Sequence, residues 1–424
     1  MLDRSIAPEF HTIQSITLPA IAKAQFGNGS DLYIAGFGTQ DVLRVELVFD
    51  AGYGYADHKG FKSLFSKMLL GGTTSKTATQ VAEEFSLYGG FIEVSQQVDR
   101  LYLTIHGLNR NLKMYLETVV DILTNASFVQ EELETQRKIA KQTLQLNLEK
   151  PSYLANRIYR EKLFGKDHLL GQNDEMEDLD LISQANLKEF YETRIKGCQF
   201  SIFASGKVSD TEIKIIESVF GTLNLQDTEA LPLEFNTLVP ETTVIKKTDS
   251  MQSTIRMGKF MLGRKHPDFF RLMVCNTAFG GYFGSRLMKN IREEKGFTYG
   301  ISSSISPVRE AGYLTIGTDV VKENTKETLH EIQKEIKLLQ NSLITEGELE
   351  LVKNYICGSF AGSVTTAFEV MNRQKSIVLN DLPLDYYDKF IQNVLAVTTL
   401  DVQEMANRYL NFDEMTKVIV GEVI

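Results

Sequence analysis

The chain has 424 residues, 43% of them hydrophobic and 24% charged, and a net charge of −10 from 55 acidic against 45 basic side chains. A single core rarely grows past about 250–300 residues, so two domains are expected, and the apolar content excludes a disordered chain. The acidic balance argues against a nucleic-acid protein, whose footprint is a basic face.

The N-terminus has no long apolar run after a basic start, so it reads as no secretory signal. No stretch approaches the ~18 continuous apolar residues of a membrane span. A cytoplasmic protein with no membrane association is expected. Cys198, Cys275 and Cys357 form no CxxC pair. Such a sparse, odd set fits a reducing compartment, with each thiol a small buried hydrophobe.

In chain order, Leu43, Val45, Leu47 and Phe49 alternate with polar residues at the period of a half-buried strand. After Gly60, Phe61, Leu64, Phe65, Met68 and Leu69 form one apolar helical stripe. Leu101, Leu103 and Ile105 predict another strand, Asn109–Thr124 a helix, and Glu131-Glu132-Leu133-Glu134 an acidic helix start. Asp210 caps a helix running toward Phe220, which Gly221 ends. Residues 223–251 carry two prolines and no sustained periodicity, and read as a linker. Ile255 and Met257, then Val418 and Val420, predict further strands, with a helix over Thr325–Leu339 between them. The expected domains are 1–222 and 252–424.

The chain also repeats itself. Tyr102-Leu103-Thr104-Ile105 recurs as Tyr313-Leu314-Thr315-Ile316, 211 residues later, and Tyr88-Gly89 recurs as Tyr299-Gly300 at the same offset. A helical stretch and an acidic helix start follow each copy. Two similar domains arisen by duplication are inferred. Strands and helices mix without strict alternation, so each domain is expected to be α+β, a mainly antiparallel sheet with helices on one face.

On the helix after Gly60, Ser63, Ser66 and Lys67 stand at i, i+3 and i+4, away from the apolar stripe. As His, Glu and His they would make a zinc site with a general base. The segment from Gly60 to Thr73 resembles the active-site helix of the pitrilysin, or insulinase, family of inverzincin metallopeptidases, whose motif is H-x-x-E-H. The resemblance places Ser63, Ser66 and Lys67 at the three motif positions, where neither hydroxyls nor an ammonium suit zinc. It implies a third ligand, a glutamate on a later helix, near Lys141, with Glu134 matching a supporting acid. No metal is therefore expected in this chain. The six histidines, His11, His58, His106, His168, His266 and His330, are too scattered to offer a helical or loop pair and read as ordinary residues. Gly71-Gly72-Thr73 and Gly280-Gly281-Tyr282-Phe283-Gly284-Ser285 do not complete a phosphate-loop motif and read as tight turns and close packing.

The second half holds the most specific match, from Phe279 through Ser285-Arg286-Leu287 and Asn290-Ile291-Arg292-Glu293-Glu294-Lys295-Gly296 to Tyr299-Gly300. It resembles the second-domain signature of the same family. By that resemblance Arg292 and Tyr299 are the pair that holds substrate opposite the zinc. The chemistry suits them, because a tyrosine hydroxyl can donate to a tetrahedral oxyanion and an arginine fork can grip peptide carbonyls. The resemblance, which runs from about Thr17 to the end, implies a fold forming half of a clam-shell peptidase. It implies a non-catalytic subunit, inactive alone and with no complete catalytic set. Its partners would be a homologous HxxEH-containing subunit that holds the zinc, and a peptide substrate. Glu93 departs from the family's frequent asparagine on the substrate-binding strand. Two alternatives stand beside this reading. One is an inert scaffold subunit of a larger assembly, and the other is a hydrolase using Ser63 or Ser66 with Lys67.

Overall fold

The computed structural model describes residues 12–235, 238–247 and 250–422. They fall into two compact units. The first comprises Pro19–Val239 together with Thr366–Lys375. The second comprises the described parts of Met1–Leu18, Pro240–Thr365 and Ser376–Ile424.

The first unit contains strands β1 (Ala22–Gln25), β2 (Asp31–Ala35), β3 (Val42–Phe49), β4 (Phe91–Gln96), β5 (Leu101–Leu108) and β6 (Phe200–Gly206) in the order β1-β2-β6-β3-β5-β4. The second contains β7 (Thr242–Ile245), β8 (Gln252–Gly258), β9 (Phe260–Leu262), β10 (Thr298–Val308), β11 (Ala311–Val321) and β12 (Thr416–Val420) in the order β10-β11-β8-β12-β7, with β9 on β11. Without β1 and β9 the two orders coincide. In each sheet one pair is parallel, β2 with β6 and β7 with β12, and the remaining pairs are antiparallel. The repeated Tyr-Leu-Thr-Ile lies in β5 and in β11, each next to an edge strand. The internal repeat of the sequence is thus a repeat of topology, and the α+β expectation holds for both units.

The alternating residues of β3 are buried to 1% exposure or less, and β3 meets β5 with Val45 opposite Ile105 and Leu47 opposite Leu103. Helix Phe61–Leu69 lays its five apolar residues on this core. Helices Leu112–Asn125 and Asp210–Phe220 add theirs. Each such side chain contributes about 1.5–3 kcal/mol on burial. In the second unit β8 and β11 pack similarly against helices Phe269–Asn276, Thr325–Asn341 and Thr399–Tyr409. The three cysteines are free and buried, and burial pushes the Cys275 thiol up to about 12. No helix among the described residues is long and apolar enough to cross a membrane.

Three features differ from the sequence expectation. Ser209, not Asp210, caps the helix Asp210–Phe220, because its hydroxyl and Glu212 form a reciprocal capping box. Within 223–251, Thr242–Ile245 form β7, held by parallel pairing to β12. Its four residues are too few to show a period. The other face of the first sheet is also partly covered. Residues 366–375 carry the start of helix Ala367–Leu379 across it. There the Lys375 ammonium pairs with the buried Glu46 carboxylate, which also accepts from Thr104 Oγ1 at 3.4 Å. Arg44 donates to Asn372 Oδ1 at 2.9 Å and to the Phe368 carbonyl at 3.0 Å. Burial pushes the Lys375 pKa down, and Glu46 opposes that shift.

In the second unit Asp268 gathers Arg271, Arg408 Nη1 at 2.6 Å and the Tyr409 hydroxyl at 2.7 Å. The Tyr409 hydrogen bond, with the two guanidinium groups, outweighs burial and holds the Asp268 carboxyl down to about 2. A carboxyl depressed in the folded state stabilises above its unfolded pKa of about 4 and loses that contribution as pH falls toward 2. The urea midpoint of the second unit is therefore expected to fall between those pH values, and to fall less in Asp268→Asn. An equal acid dependence in that variant would contradict the assignment.

Candidate functional site

Two regions carry the candidate residues, one in each unit. In the first, helix Phe61–Leu69 begins from Gly60, whose φ of 83° lies in the left-handed region that glycine tolerates. Asp174 reaches the start of this helix. It accepts from Ser63 Oγ at 2.6 Å and from the Gly60 N–H at 3.2 Å, with Lys62 Nζ at 3.6 Å. Ser66 Oγ donates to the Lys62 carbonyl at 3.4 Å. Neither serine hydroxyl is bonded to Lys67, so no Ser–Lys pair is assembled.

The later helix, Gln130–Leu148, packs beside this one. Lys141 does not face Lys67. Its ammonium pairs with Asp180 at 2.6 Å. Glu134 lies exposed against Arg137 at 2.6 Å and Gln130 at 2.7 Å. The side chains of this helix that share a cavity with Ser63 and Lys67 include Gln136, Ala140, Thr143 and Asn147, with Ile139 and Leu144 beside them. At i, i+4, i+7 and i+11 the first four form a single helical face. Lys141 is not part of that lining. Hydroxyls, amides, an ammonium and one carboxylate already engaged by Ser63 and Lys62 are not a zinc donor set. Among the described residues no group of three or more His, Cys, Asp or Glu is placed to hold a metal.

Three of the described histidines are engaged locally. His168 Nδ1 accepts from the Leu170 N–H at 3.1 Å, His266 Nδ1 accepts from the Asp268 N–H at 3.1 Å, and His58 lies 3.3 Å from the Asn186 amide. His11 lies outside the described residues. Glu93 sits on the edge strand β4 with its side chain exposed, opposite Thr104.

In the second unit a π-helical turn, Met288–Glu294, carries Arg292. Such wide turns collect at functional positions. Asn290 anchors it from below, donating to Glu331 and Glu335 at 2.7 Å each. Burial pushes the Glu331 carboxyl up, but the Asn290 amide, Lys334 and Lys295 bring it down to about 2. Burial raises Glu335. Arg286 grips Glu348 with two bonds, at 2.7 and 2.9 Å. Gly280 permits close packing of the preceding turn, for a Cβ there would stand 2.7 Å from the Ser303 Cβ.

Gly296, at φ 67°, turns the chain into β10. Tyr299 and Gly300 then oppose one residue of β11, Asp319, because the register jumps between Thr298 and Ile301. Threonines lock this bulge. Thr298 Oγ1 donates to the Asp319 carbonyl at 2.7 Å and accepts from the Gly300 N–H at 3.1 Å, and Thr318 Oγ1 donates to the Gly300 carbonyl at 3.0 Å. Bulges re-aim side chains, and the Tyr299 ring is 94% exposed. Arg292 Nε donates to the Tyr299 carbonyl at 3.1 Å, and its guanidinium lies 4.6 Å from the Phe283 ring centre. The structure thus joins Arg292 to Tyr299 and adds Phe283 as a platform, which the sequence reading had not singled out. Phe283 lay in the quoted glycine segment, but nothing in its spacing showed which side chain it would support.

Residues 38–169 match the family described as insulinase (peptidase family M16), and residues 182–356 match the peptidase M16 inactive domain. The chain is 24% identical to the uncharacterized zinc protease YmxG of Bacillus subtilis, over 84% of this chain and 86% of that one. It is 23% identical to the probable inactive metalloprotease YmfF of the same organism, over 70% of each. Its fold is similar to the crystal structure of a peptidase M16 inactive domain from Pseudomonas fluorescens, with a TM-score of 0.87, 21% identity and coverage of 96% of this chain and 98% of that one. It is also similar to a protease from Helicobacter pylori, with a TM-score of 0.84, 16% identity and coverage of 96% and 100%. Two sheets of one topology and the two matched sequence domains agree, and the chain belongs to the insulinase family, peptidase family M16.

Proposed function

We propose that this chain is the non-catalytic member of a two-chain zinc peptidase, in which a homologue bearing H-x-x-E-H holds the metal. Arg292 and Tyr299 would bind the peptide opposite that metal. The observation that carries this reading is the Arg292–Tyr299 arrangement. A π-helical turn and a threonine-locked bulge hold Arg292 against the Tyr299 backbone while the phenol points into solvent. A merely structural tyrosine would bury its ring. An exposed phenol held on a fixed backbone suits donation to an oxyanion formed on a ligand. The zinc helix of this chain offers no metal donors, so hydrolysis would be supplied by the other subunit.

The test is reconstitution. The isolated chain is expected to cleave no peptide and to hold no stoichiometric zinc by metal analysis. Mixing it with an H-x-x-E-H homologue of similar length is expected to switch on cleavage of a fluorogenic peptide. If the mixture is no more active than the homologue alone, the reading fails, and a stable complex without activity would favour a scaffold.

A further inference from the structure

The strongest feature left unused is the cavity beside the erased zinc helix. Its volume is about 270 Å³, just below the roughly 300–1,000 Å³ of sites for drug-sized ligands, so its occupant is about the size of one amino-acid residue. One part of its wall is apolar, from Ile139, Leu144 and Leu179. Another part is polar, with Lys67, Asn147 and Tyr153.

The charges around this space are unequally matched. Asp174 is the one carboxylate lining it, and Ser63, the Gly60 N–H and Lys62 already engage that group. Lys62 has Asp174 and Lys141 has Asp180. Lys67 makes no ion pair among the described residues, yet it lines the cavity. An ammonium with no counter-charge, beside amide and phenol donors and an apolar wall, is complementary to an anion that bears an apolar group.

We infer that this cavity binds a carboxylate carrying a small apolar side chain, the chemistry of a peptide C-terminal residue, with Lys67 pairing the carboxylate where the family's metal would otherwise sit. Lys67 and its neighbours make the site a receptor for the end of a chain, whereas a zinc site acts on a bond within one. The inference does not depend on the two-chain reading, because the cavity lies wholly within the first unit.

Calorimetric titration of the isolated full chain tests it. The probes are N-acetyl-leucine, N-acetyl-leucinamide and a short peptide ending in a free leucine carboxylate. The acid and the peptide are expected to bind at least about tenfold more tightly than the amide, since the amide forfeits a charge-assisted hydrogen bond. Lys67→Met, a change at an exposed position that leaves the core intact, is expected to remove that preference. Lys67→Arg is expected to retain most of it. Binding of the peptide but not of N-acetyl-leucine would still support the site and assign it to a chain end. Equal binding of acid and amide, undiminished binding by Lys67→Met, or no binding of either carboxylate at millimolar concentration would overturn it.

Discussion

Replacing Tyr299 with phenylalanine is expected to lower peptide turnover by the reconstituted two-chain enzyme about 100-fold, the scale of losing one oxyanion donor. The ring is 94% exposed, so removing its hydroxyl disturbs no packing, and the complex should elute unchanged in size-exclusion chromatography. The loss should fall on kcat more than on KM, because the hydrogen bond strengthens as charge develops. Arg292→Ala is expected to lose more. Arg292 Nε also holds the Tyr299 carbonyl, so its removal takes one hold from the bulge along with the guanidinium. Arg292→Lys keeps the charge but not the planar fork, and should fall between wild type and alanine. An unchanged kcat in Tyr299→Phe, with the complex intact, would remove Tyr299 from the mechanism.

The largest effect on stability is expected from Lys375→Met. Glu46 is 8% exposed at its side chain, and Lys375 supplies its counter-charge from a segment that returns to the first sheet late in the sequence. Removing one partner of a buried pair leaves a charge without compensation, at a cost of about 3–5 kcal/mol. The double variant Glu46→Leu with Lys375→Met should recover most of that loss, since it buries no lone charge. Chemical denaturation of the wild type and the two variants measures both effects. A loss below about 0.5 kcal/mol for Lys375→Met, the range of ordinary surface changes, would show that water reaches Glu46 in the pair's absence.

The strands and the helix after Gly60 were legible because period is local. Leu43, Val45, Leu47 and Phe49 announce a strand from within eight residues, and Phe61 to Leu69 announce a helix from within nine. The repeat of Tyr102–Ile105 at Tyr313–Ile316 reached further and foretold two like sheets. Helical phase was harder to read. Lys141 and Thr143 are two residues apart, which on a helix is roughly 200° of rotation, so Lys141 meets Asp180 while Thr143 lines the cavity. Partners distant in sequence were not legible at all. Nothing around Asp174 marks it as the acceptor for Ser63, and nothing around Lys375 marks it as the partner of Glu46. Arg292 and Tyr299 were found through motif order, but the bulge that exposes the phenol depends on Thr318, from another strand.

The interleaving of the two units also bears on how the chain is made. During synthesis Glu46 leaves the ribosome 329 residues before Lys375. The N-terminal stretch with Ile13, Ile16 and Leu18 waits longer still, since Leu18 N–H is bound by Asp388, 370 residues on. The first unit is not complete until residues 366–375 are made, although domains generally fold in turn from the N-terminus. The nascent first sheet therefore carries an unneutralised carboxylate and an uncovered face through most of translation. A gene divided within residues 223–251 would yield two products, each deprived of a segment the other encodes.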